Sequence, residues 1–204
     1  MSTDAMASAP SSDFPLRYDV QYPDSLNRVL NNPFLFWIKW ILAIPHLAIL
    51  YVLGLVVWVV VVIAFFSILF TKKYPRGMYD FAVNYMRWQA NVYAYIFMLR
   101  DEYPPFSWDA GQYPVTLETT YQDEMSRFAP LYKWIFVIPN LIVWYLVAIV
   151  AVVLWVVAGF AILFTGKFPR GMFDFIVGTS RWYHRAYMYG FYLMTDKYPP
   201  FSMK

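Results

Sequence analysis

The side chains with the widest chemistry in this chain are its two histidines, His46 and His184. His46 lies inside a long apolar run, and His184 lies in a later segment rich in aromatic residues. An imidazole in apolar surroundings can ligate the iron of haem or the magnesium of a pigment. Both histidines are therefore candidate cofactor ligands. A lone histidine is more often hydrogen-bonded within the fold, and we expect that the protein holds no cofactor.

A second set of polar residues recurs with helical spacing in two segments. Its members are Asp80, Asn84, Arg87 and Asn91 in the first segment and Asp174, Arg181 and Arg185 in the second. Intervals of three, four and seven residues place each set on one face of a helix. If such a helix spans a bilayer, each mid-helix arginine costs about 2.5 to 3.5 kcal/mol unless it finds a partner. If the helix lies in the interface, the same stripe faces water, and both arrangements stay open.

Signatures of catalysis are missing from the sequence. The chain has no cysteine, no nucleophile elbow, no Walker or dinucleotide-binding loop and no metal-ligand spacing. Asp80 and Asp174 are interpreted as partners in structural ion pairs, because arginines lie beside both. A net charge of +3 without a basic stripe argues against a nucleic-acid partner. The sequence therefore predicts a protein that is not an enzyme.

The distribution of hydrophobic residues predicts the helices that position these side chains. Hydrophobic residues make up 60% of the chain and charged residues 14%, a balance outside the usual range of soluble domains. Residues 41–70 and 135–164 form two nearly unbroken apolar runs, each longer than the roughly 20 residues that a membrane-spanning helix needs. Pro45 is the expected kink in the first run. The alternative of two short re-entrant helices lacks a polar turn at its middle.

A basic turn follows each apolar run and leads into an amphipathic helix. The basic residues of the two turns are Lys72, Lys73, Arg76, Lys167 and Arg170. We expect them at the level of the lipid headgroups, in contact with lipids that include anionic ones. The amphipathic helices are predicted at residues 78–99 and 172–194.

Short strands are predicted before each apolar run. Apolar and polar side chains alternate with a period of two in residues 16–22 and 115–121. Residues 1–15 are small and polar, and we expect a disordered tail there. Residues 108–114 are expected to form a polar linker.

The chain is a tandem duplication, with one repeat in residues 16–107 and the other in residues 115–204. An offset of 94 residues relates Thr71 to Thr165 and also Pro45 to Pro139. If each repeat crosses a bilayer twice, the two helical hairpins are parallel and their strands lie on one side, where they can pair. If each repeat crosses once, the repeats are inverted and the bilayer separates the strands. Because an unpaired strand edge is unfavourable, we predict the arrangement with two crossings. The expected fold is an all-α integral membrane protein with four long helices, two very hydrophobic and two amphipathic and aromatic-rich, and short interfacial strands.

Several motifs occur in both halves and together resemble a family of bacterial membrane proteins. In the first half they are Tyr22-Pro23, Ile44-Pro45-His46, Ile68-Leu69-Phe70-Thr71, Tyr74-Pro75-Arg76-Gly77, Asp80-Phe81, Arg87-Trp88 and Tyr103-Pro104-Pro105-Phe106. The family they resemble is the domain of unknown function 4389. The second half departs from the first at Asn140, which corresponds to His46, and at Gln122, which corresponds to Pro23. The resemblance implies a helical integral membrane protein and brings no catalytic residues.

These observations lead to one functional hypothesis and two alternatives. The leading hypothesis is a non-enzymatic, multi-pass protein of the bacterial inner membrane that acts as an accessory or scaffold subunit or organises lipids. Its expected partners are membrane lipids and either other membrane subunits or further copies of itself. The first alternative is a small oligomeric transporter or channel lined by the Asp, Asn and Arg stripes. The lesser alternative is a subunit that binds haem or a pigment through a histidine.

Overall fold

The computed structural model describes residues 14–204, which form four α-helices and two β-strands. In chain order the elements are β1 (Leu16–Val20), α1 (Trp37–Thr71), α2 (Arg76–Ile96), β2 (Val115–Thr119), α3 (Ala129–Thr165) and α4 (Arg170–Gly190). Each element lies where the sequence predicted one, with ends that differ by a few residues. The mostly helical fold with two long apolar helices is therefore confirmed.

Each apolar run forms a single continuous helix, which rules out the re-entrant alternative. α1 contains Pro45 and α3 contains Pro139, and both helices continue through the proline. The two helices end in the same way, because Lys72 and Gly166 adopt left-handed backbone conformations with φ of 61° and 73°. A glycine is free to adopt this conformation, whereas a lysine pays a steric cost.

The two strands pair with each other in an antiparallel sheet. Tyr18 lies opposite Leu117 at the centre, and Leu16 and Val20 lie opposite Thr119 and Val115 at the ends. The apolar side chains of both strands point to one face, where they are buried. This is the half-buried pattern that the period of two predicted.

α2 lies between α1 and the sheet and uses opposite faces for the two contacts. Trp88 and Val92 pack on Ala43, Leu50 and Val57 of α1. On the other side of α2, residues that include Val83, Met86 and Ala90 belong to the same buried cluster as Leu16, Tyr18 and Leu117. In the second repeat, α4 likewise packs on α3 through Ala186 and Tyr189. The fold thus has three layers: the sheet, then α2 and α4, then α1 and α3.

The two helical hairpins are antiparallel, whereas the sequence analysis predicted parallel hairpins. The rings of Phe36 and Trp155 lie 5.7 Å apart, which brings the start of α1 to the last third of α3. At the other end, the backbone N–H of Met125 donates to the carbonyl of Lys72 at 2.8 Å, so that the end of α1 lies near the start of α3. The sheet explains this result. Equivalent strands that pair antiparallel are related by a two-fold rotation, and that rotation also reverses the helices.

Each strand covers the amphipathic helix of the other repeat. β2 of the second repeat packs on α2, where Arg87 Nε donates to the carbonyl of Leu117 at 3.3 Å. β1 of the first repeat packs on α4, where Arg181 Nε donates to the carbonyl of Tyr18 at 2.7 Å. The two repeats therefore form one interlocked body with a shared core.

Most of the predicted tail, residues 1–13, lies outside the described residues. Phe14 was placed in that tail but belongs to the core, with 6% of its surface exposed. Its ring lies 6.0 Å from the guanidinium carbon of Arg185. The buried part of the chain therefore begins slightly earlier than the alternating pattern indicated.

Candidate functional site

The layer of α1 and α3 presents a wide apolar surface. In the most apolar stretch of each helix, only 22% and 17% of the residues are buried. Large exposed side chains follow both helices along their length, among them Trp58, Phe70, Tyr145, Leu146 and Phe164. The core helix of a soluble protein would be mostly buried, so this surface is of the kind that lipid or protein covers. Both helices are long and apolar enough to cross a membrane.

The opposite surface of the molecule is polar. Arg17, Asp19 and Glu118 point away from the core on the outer face of the sheet and are exposed. Asp19 also lies 3.4 Å from Arg181 Nη2. The layer order therefore gives the molecule one apolar and one charged face.

Along the direction of the helices, the charged outer face of the sheet lies at the level of the central part of α1. Arg87, which binds the central strand residue Leu117, is followed by Trp88, whose Nε1 donates to His46 Nδ1 of α1 at 3.1 Å. One turn earlier, the Tyr85 hydroxyl lies 3.1 Å from the position that a Cβ on Gly54 would occupy. Gly54 lies midway between the two ends of α1. The sheet thus lies alongside the helices and does not extend beyond their ends.

The basic residues of the two turns are all exposed. They are Lys72, Lys73, Arg76, Lys167 and Arg170. The Arg76 and Arg170 guanidinium groups also lie over the rings of Tyr121 and Tyr22, at 4.5 and 4.6 Å. Because the hairpins are antiparallel, the two turns lie at opposite ends of the apolar surface.

The polar stripe divides into an exposed part and a buried part. Asp80 and Asp174 pair with Arg76 and Arg170, one helical turn away, at 3.4 and 3.1 Å. These pairs are more than half exposed, and such pairs contribute about 0 to 1 kcal/mol. The aspartates therefore pair with the arginines of the turns.

The arginines in the middle of the stripe bind backbone carbonyls. In addition to the strand carbonyls, Arg87 Nη1 donates to the carbonyl of Trp108 at 2.9 Å and to Asn84 Oδ1 at 2.8 Å. Arg181 Nη1 donates in the equivalent way to the carbonyl of Met203 at 2.7 Å. Each arginine thus fastens a strand and the segment that follows the Tyr-Pro-Pro-Phe motif to the same helix.

The remaining stripe positions are buried. Asn91 is 2% exposed and Arg185 is 1% exposed. Arg185 Nη1 donates to the carbonyl of Lys204, and burial, together with the nearby charge of Arg181, lowers the pKa of Arg185 to about 10. The second stripe has Gly178 at the position that corresponds to Asn84. A larger residue does not fit there, because a Cβ on Gly178 would lie 2.8 Å from the Met203 side chain.

His46 accepts a hydrogen bond from a tryptophan, and the corresponding residue of the second repeat, Asn140, does the same. His46 is fully buried, accepts the indole N–H of Trp88 and stacks on Phe106 with ring centroids 4.0 Å apart. Asn140 Oδ1 accepts the indole N–H of Trp182 at 2.7 Å in the second repeat. The difference between the repeats at this position therefore preserves the hydrogen-bond acceptor.

His184 faces a cavity of about 440 Å³ between the two repeats. Its ring stacks on Tyr18 with centroids 4.7 Å apart, and Nδ1 lies 2.7 Å from the carbonyl of Ser180. Burial lowers its pKa to about 4, against the opposing effect of that hydrogen bond. Its Nε2 atom is buried and has no hydrogen-bond partner. Among residues 14–204, no group of three or more His, Cys, Asp or Glu side chains is placed to hold a metal ion.

Sequence reasoning missed two buried lysines. Lys39 Nζ lies 2.9 Å from Asp101 Oδ1 and donates to the carbonyl of Arg100, and Lys133 Nζ lies 2.7 Å from Asp196 Oδ1. Both lysine side chains are at most 1% exposed. The recurrence of a lysine and an aspartate at nearly the same offset in both repeats was the available signal.

The family comparison agrees with the duplication. The family model described as "Domain of unknown function (DUF4389)" matches the chain twice, at residues 35–107 and 129–203. Neither a curated protein nor a solved structure matches the chain.

Proposed function

Since the chain belongs to the domain of unknown function 4389 family, whose description assigns no activity, we propose its role from its surface. We propose that it is a non-enzymatic protein of the bacterial inner membrane that lies flat in one leaflet and organises lipids there. In this arrangement α1 and α3 are immersed in lipid, and the sheet faces water. The exposed apolar face of these two helices is the observation that carries the proposal.

The position of the charged face supports the flat orientation. If α1 and α3 stood across a bilayer, the outer face of the sheet would lie near its middle, because the sheet lies alongside the helices, between their two ends. Arg17, Asp19 and Glu118 are exposed on that face. A charge at the bilayer centre costs about 2.5 to 3.5 kcal/mol on insertion scales. A flat orientation avoids this cost for all three side chains.

Helix length supports the same orientation. α1 has 35 residues and α3 has 37. At 1.5 Å per residue each is over about 50 Å long, whereas the hydrocarbon core of a bilayer is about 30 Å thick. Helices that lie along the membrane plane have no such limit, and their apolar faces can be covered over the whole length.

The basic turns fit a flat orientation because it brings both ends of the apolar surface to the same headgroup layer. Lys72, Lys73 and Lys167 are then available to anionic headgroups of one leaflet. Each cation near such a surface contributes about 1 kcal/mol of attraction. The sequence expectation of a scaffold subunit is compatible with this orientation, since the sheet would be free to contact other subunits.

Single-cysteine labelling tests the orientation, because the chain has no native cysteine. Cysteines are placed one at a time at Lys73, Lys167 and Glu118 and treated with an impermeant maleimide in sealed vesicles of known orientation. The flat arrangement predicts that all three react from the same side. Reaction of Lys73→Cys and Lys167→Cys from opposite sides would overturn it in favour of α1 and α3 spanning the membrane. Reaction of both from the side opposite to Glu118→Cys would overturn it in favour of parallel hairpins that cross the membrane four times.

A small oligomeric channel lined by the polar stripes is the alternative. It requires spanning helices and several copies that bring their polar faces around a common pore. The binding of backbone carbonyls by Arg87 and Arg181 supports a structural role for these side chains instead. Ion flux in reconstituted vesicles that is lost in the Arg87→Ala/Arg181→Ala variant, while the variant still folds, would favour the channel.

A further inference from the structure

The cavity beside His184 connects the apolar surface to the core. At one end its lining includes Trp40 of α1 and Val152 of α3, which are 39% and 56% exposed on that surface. At the other end it includes Tyr18 and His184, which are both 2% exposed. Its volume of about 440 Å³ is in the range of small-molecule sites, roughly 300 to 1,000 Å³. A chain-like apolar molecule in the lipid layer would meet its open end.

Two buried polar atoms in the lining have no hydrogen-bond partner, and their chemistry is complementary. His184 Nδ1 lies against the Ser180 carbonyl, which can only accept, so that Nδ1 carries the proton and Nε2 is an acceptor. Trp155 Nε1 is a donor only. Both His184 Nε2 and Trp155 Nε1 are buried without a partner. A ligand hydroxyl that donates to His184 Nε2 would satisfy this acceptor, and a ligand oxygen that accepts from Trp155 Nε1 would satisfy that donor.

Both side chains are held in place. The Trp155 ring makes edge contacts with Phe36 and Phe97, at centroid distances of 5.7 and 6.0 Å. The His184 ring is fixed by its stack on Tyr18 and by the Ser180 carbonyl. A polar pair that is already ordered loses little conformational entropy when a ligand binds.

The pair occurs in one half of the molecule only. At the 94-residue offset, Trp155 and His184 correspond to Val61 and Ala90. Val61 also lines the equivalent cavity of the other half, which lies between α1 and the end of α4. The duplication therefore does not by itself account for the two polar side chains.

The lining also limits the charge of a ligand. None of the described residues that line the cavity is Lys, Arg, Asp or Glu. A carboxylate or phosphate taken into it would be buried without a counter-charge, which is strongly unfavourable. The carboxylates of haem would meet the same cost, although His184 Nε2 alone resembles a metal ligand.

We infer that this cavity binds an uncharged lipid alcohol, with its hydroxyl donating to His184 Nε2 at the inner end and its hydrocarbon chain toward the apolar surface. The entry route rests on the proposed function, because it requires α1 and α3 to be in lipid. Diacylglycerols, polyprenols and fatty alcohols share the required chemistry.

Binding of radiolabelled oleyl alcohol to the purified protein in dodecyl maltoside tests the inference, with oleyl methyl ether as the matched probe. The ether can accept a hydrogen bond but cannot donate one to His184. We expect the wild type to bind the alcohol about tenfold more tightly than the ether, the factor that corresponds to one buried hydrogen bond. His184→Phe should abolish the difference by weakening only the alcohol, whereas Trp155→Phe should leave the difference in place. Trp58→Phe, at a 70% exposed tryptophan outside this cavity, is the control and should change neither.

Equal affinity of the wild type for alcohol and ether would by itself overturn the inference, since it would mean that the cavity binds its ligand through apolar contacts alone. A haem absorption band in the purified protein that disappears in His184→Phe would overturn it in favour of the haem alternative. The assay is performed in detergent. It therefore fails or succeeds independently of the labelling experiment, which tests the flat orientation alone.

Discussion

At the scale of single residues, polar side chains buried between the helices have defined packing roles. His46 and Asn140 differ in type but each accepts the indole N–H of the tryptophan on the neighbouring helix, Trp88 or Trp182. A buried indole without an acceptor would lose a hydrogen bond that water cannot replace. The acceptor, and not the imidazole, is what both repeats retain.

We therefore predict that His46→Asn is tolerated and His46→Leu is not. Asparagine fills the equivalent position in the second repeat, so this variant should lose less than about 1 kcal/mol of unfolding free energy. Leucine leaves Trp88 Nε1 unsatisfied, which costs about 1 to 3 kcal/mol. Thermal unfolding of the detergent-solubilised protein measures both. Equal destabilisation by the two substitutions would mean that another property of His46, such as its stack on Phe106, dominates.

At the scale of elements, the two helical hairpins reach the same packing with different side chains. In the first repeat Ile96 of α2 packs in the cluster that contains Ala43 of α1. The equivalent residues are Gly190 and Val137, and a Cβ on Gly190 would lie 2.6 Å from Val137 Cγ1. The large and the small residue have exchanged helices. The contact between the helices is preserved because the combined volume is similar.

This exchange predicts a compensated pair of substitutions. Gly190→Ala alone should destabilise the protein by about 1 to 3 kcal/mol, because the new methyl group overlaps a branched side chain. Combining it with Val137→Ala should recover part of the loss. Gly171→Ala is the matched control, since nothing lies within 4 Å of its Cβ position, and it should be neutral or stabilising. Thermal unfolding of the wild type and the three variants measures these changes in stability. A double variant that is no more stable than Gly190→Ala would contradict the interpretation.

The arginines of the stripes hold strands on helices, which gives a second prediction at this scale. Arg87→Ala removes the donors to the carbonyls of Leu117 and Trp108. Backbone amides of β2 should then exchange with deuterium at least tenfold faster, because each lost bond to a charged donor is worth about 1.5 to 3 kcal/mol. Arg87→Lys should not restore protection, since an ammonium group lacks the planar geometry that reaches several acceptors at fixed angles. Unchanged exchange in β2 would show that apolar packing alone holds the strand.

At the scale of the whole molecule, the two-fold relation between the repeats determines which surfaces are apolar and which are charged. It places both charged strands at the centre of one face and both apolar helices on the opposite face. It also separates the basic turns to the two ends of the apolar layer. A molecule of this shape can lie in one leaflet with every charged side chain of the sheet in water, which is the orientation that we propose.

The flat orientation makes a prediction about depth along α1. Ile44, Leu55 and Phe70 are all exposed on the same side of this helix, at 57%, 53% and 69%. Spin labels at the three positions should lie at similar depths in a bilayer, as measured by collisions with oxygen and with a water-soluble nickel complex. In a spanning helix, Leu55 would be deepest, and Ile44 and Phe70 would lie near opposite surfaces. A depth difference above about 10 Å between Leu55 and either end would therefore contradict the flat orientation.

The sequence by itself determined the elements and the duplication. Apolar runs, the period of two at Leu16 to Tyr22 and the 94-residue offset depend on local side-chain order, and the observed elements follow them. The family also followed from motifs, and residues 35–107 and 129–203 match its model. The sequence did not indicate which charged residues are buried. Lys39 and Lys133 acquire their aspartate partners only when distant segments of the chain meet.

Only the tertiary structure decided how the repeats are arranged. The prediction of parallel hairpins rested on the two strands lying on the same side of a bilayer, where they can pair. In the structure the strands lie along α2 and α4, so an antiparallel pair forms between antiparallel hairpins. The alternation within a strand fixes which face is buried but not which helix it covers. That choice depends on contacts such as Arg87 with Leu117 and Arg181 with Tyr18, which join residues far apart in the chain.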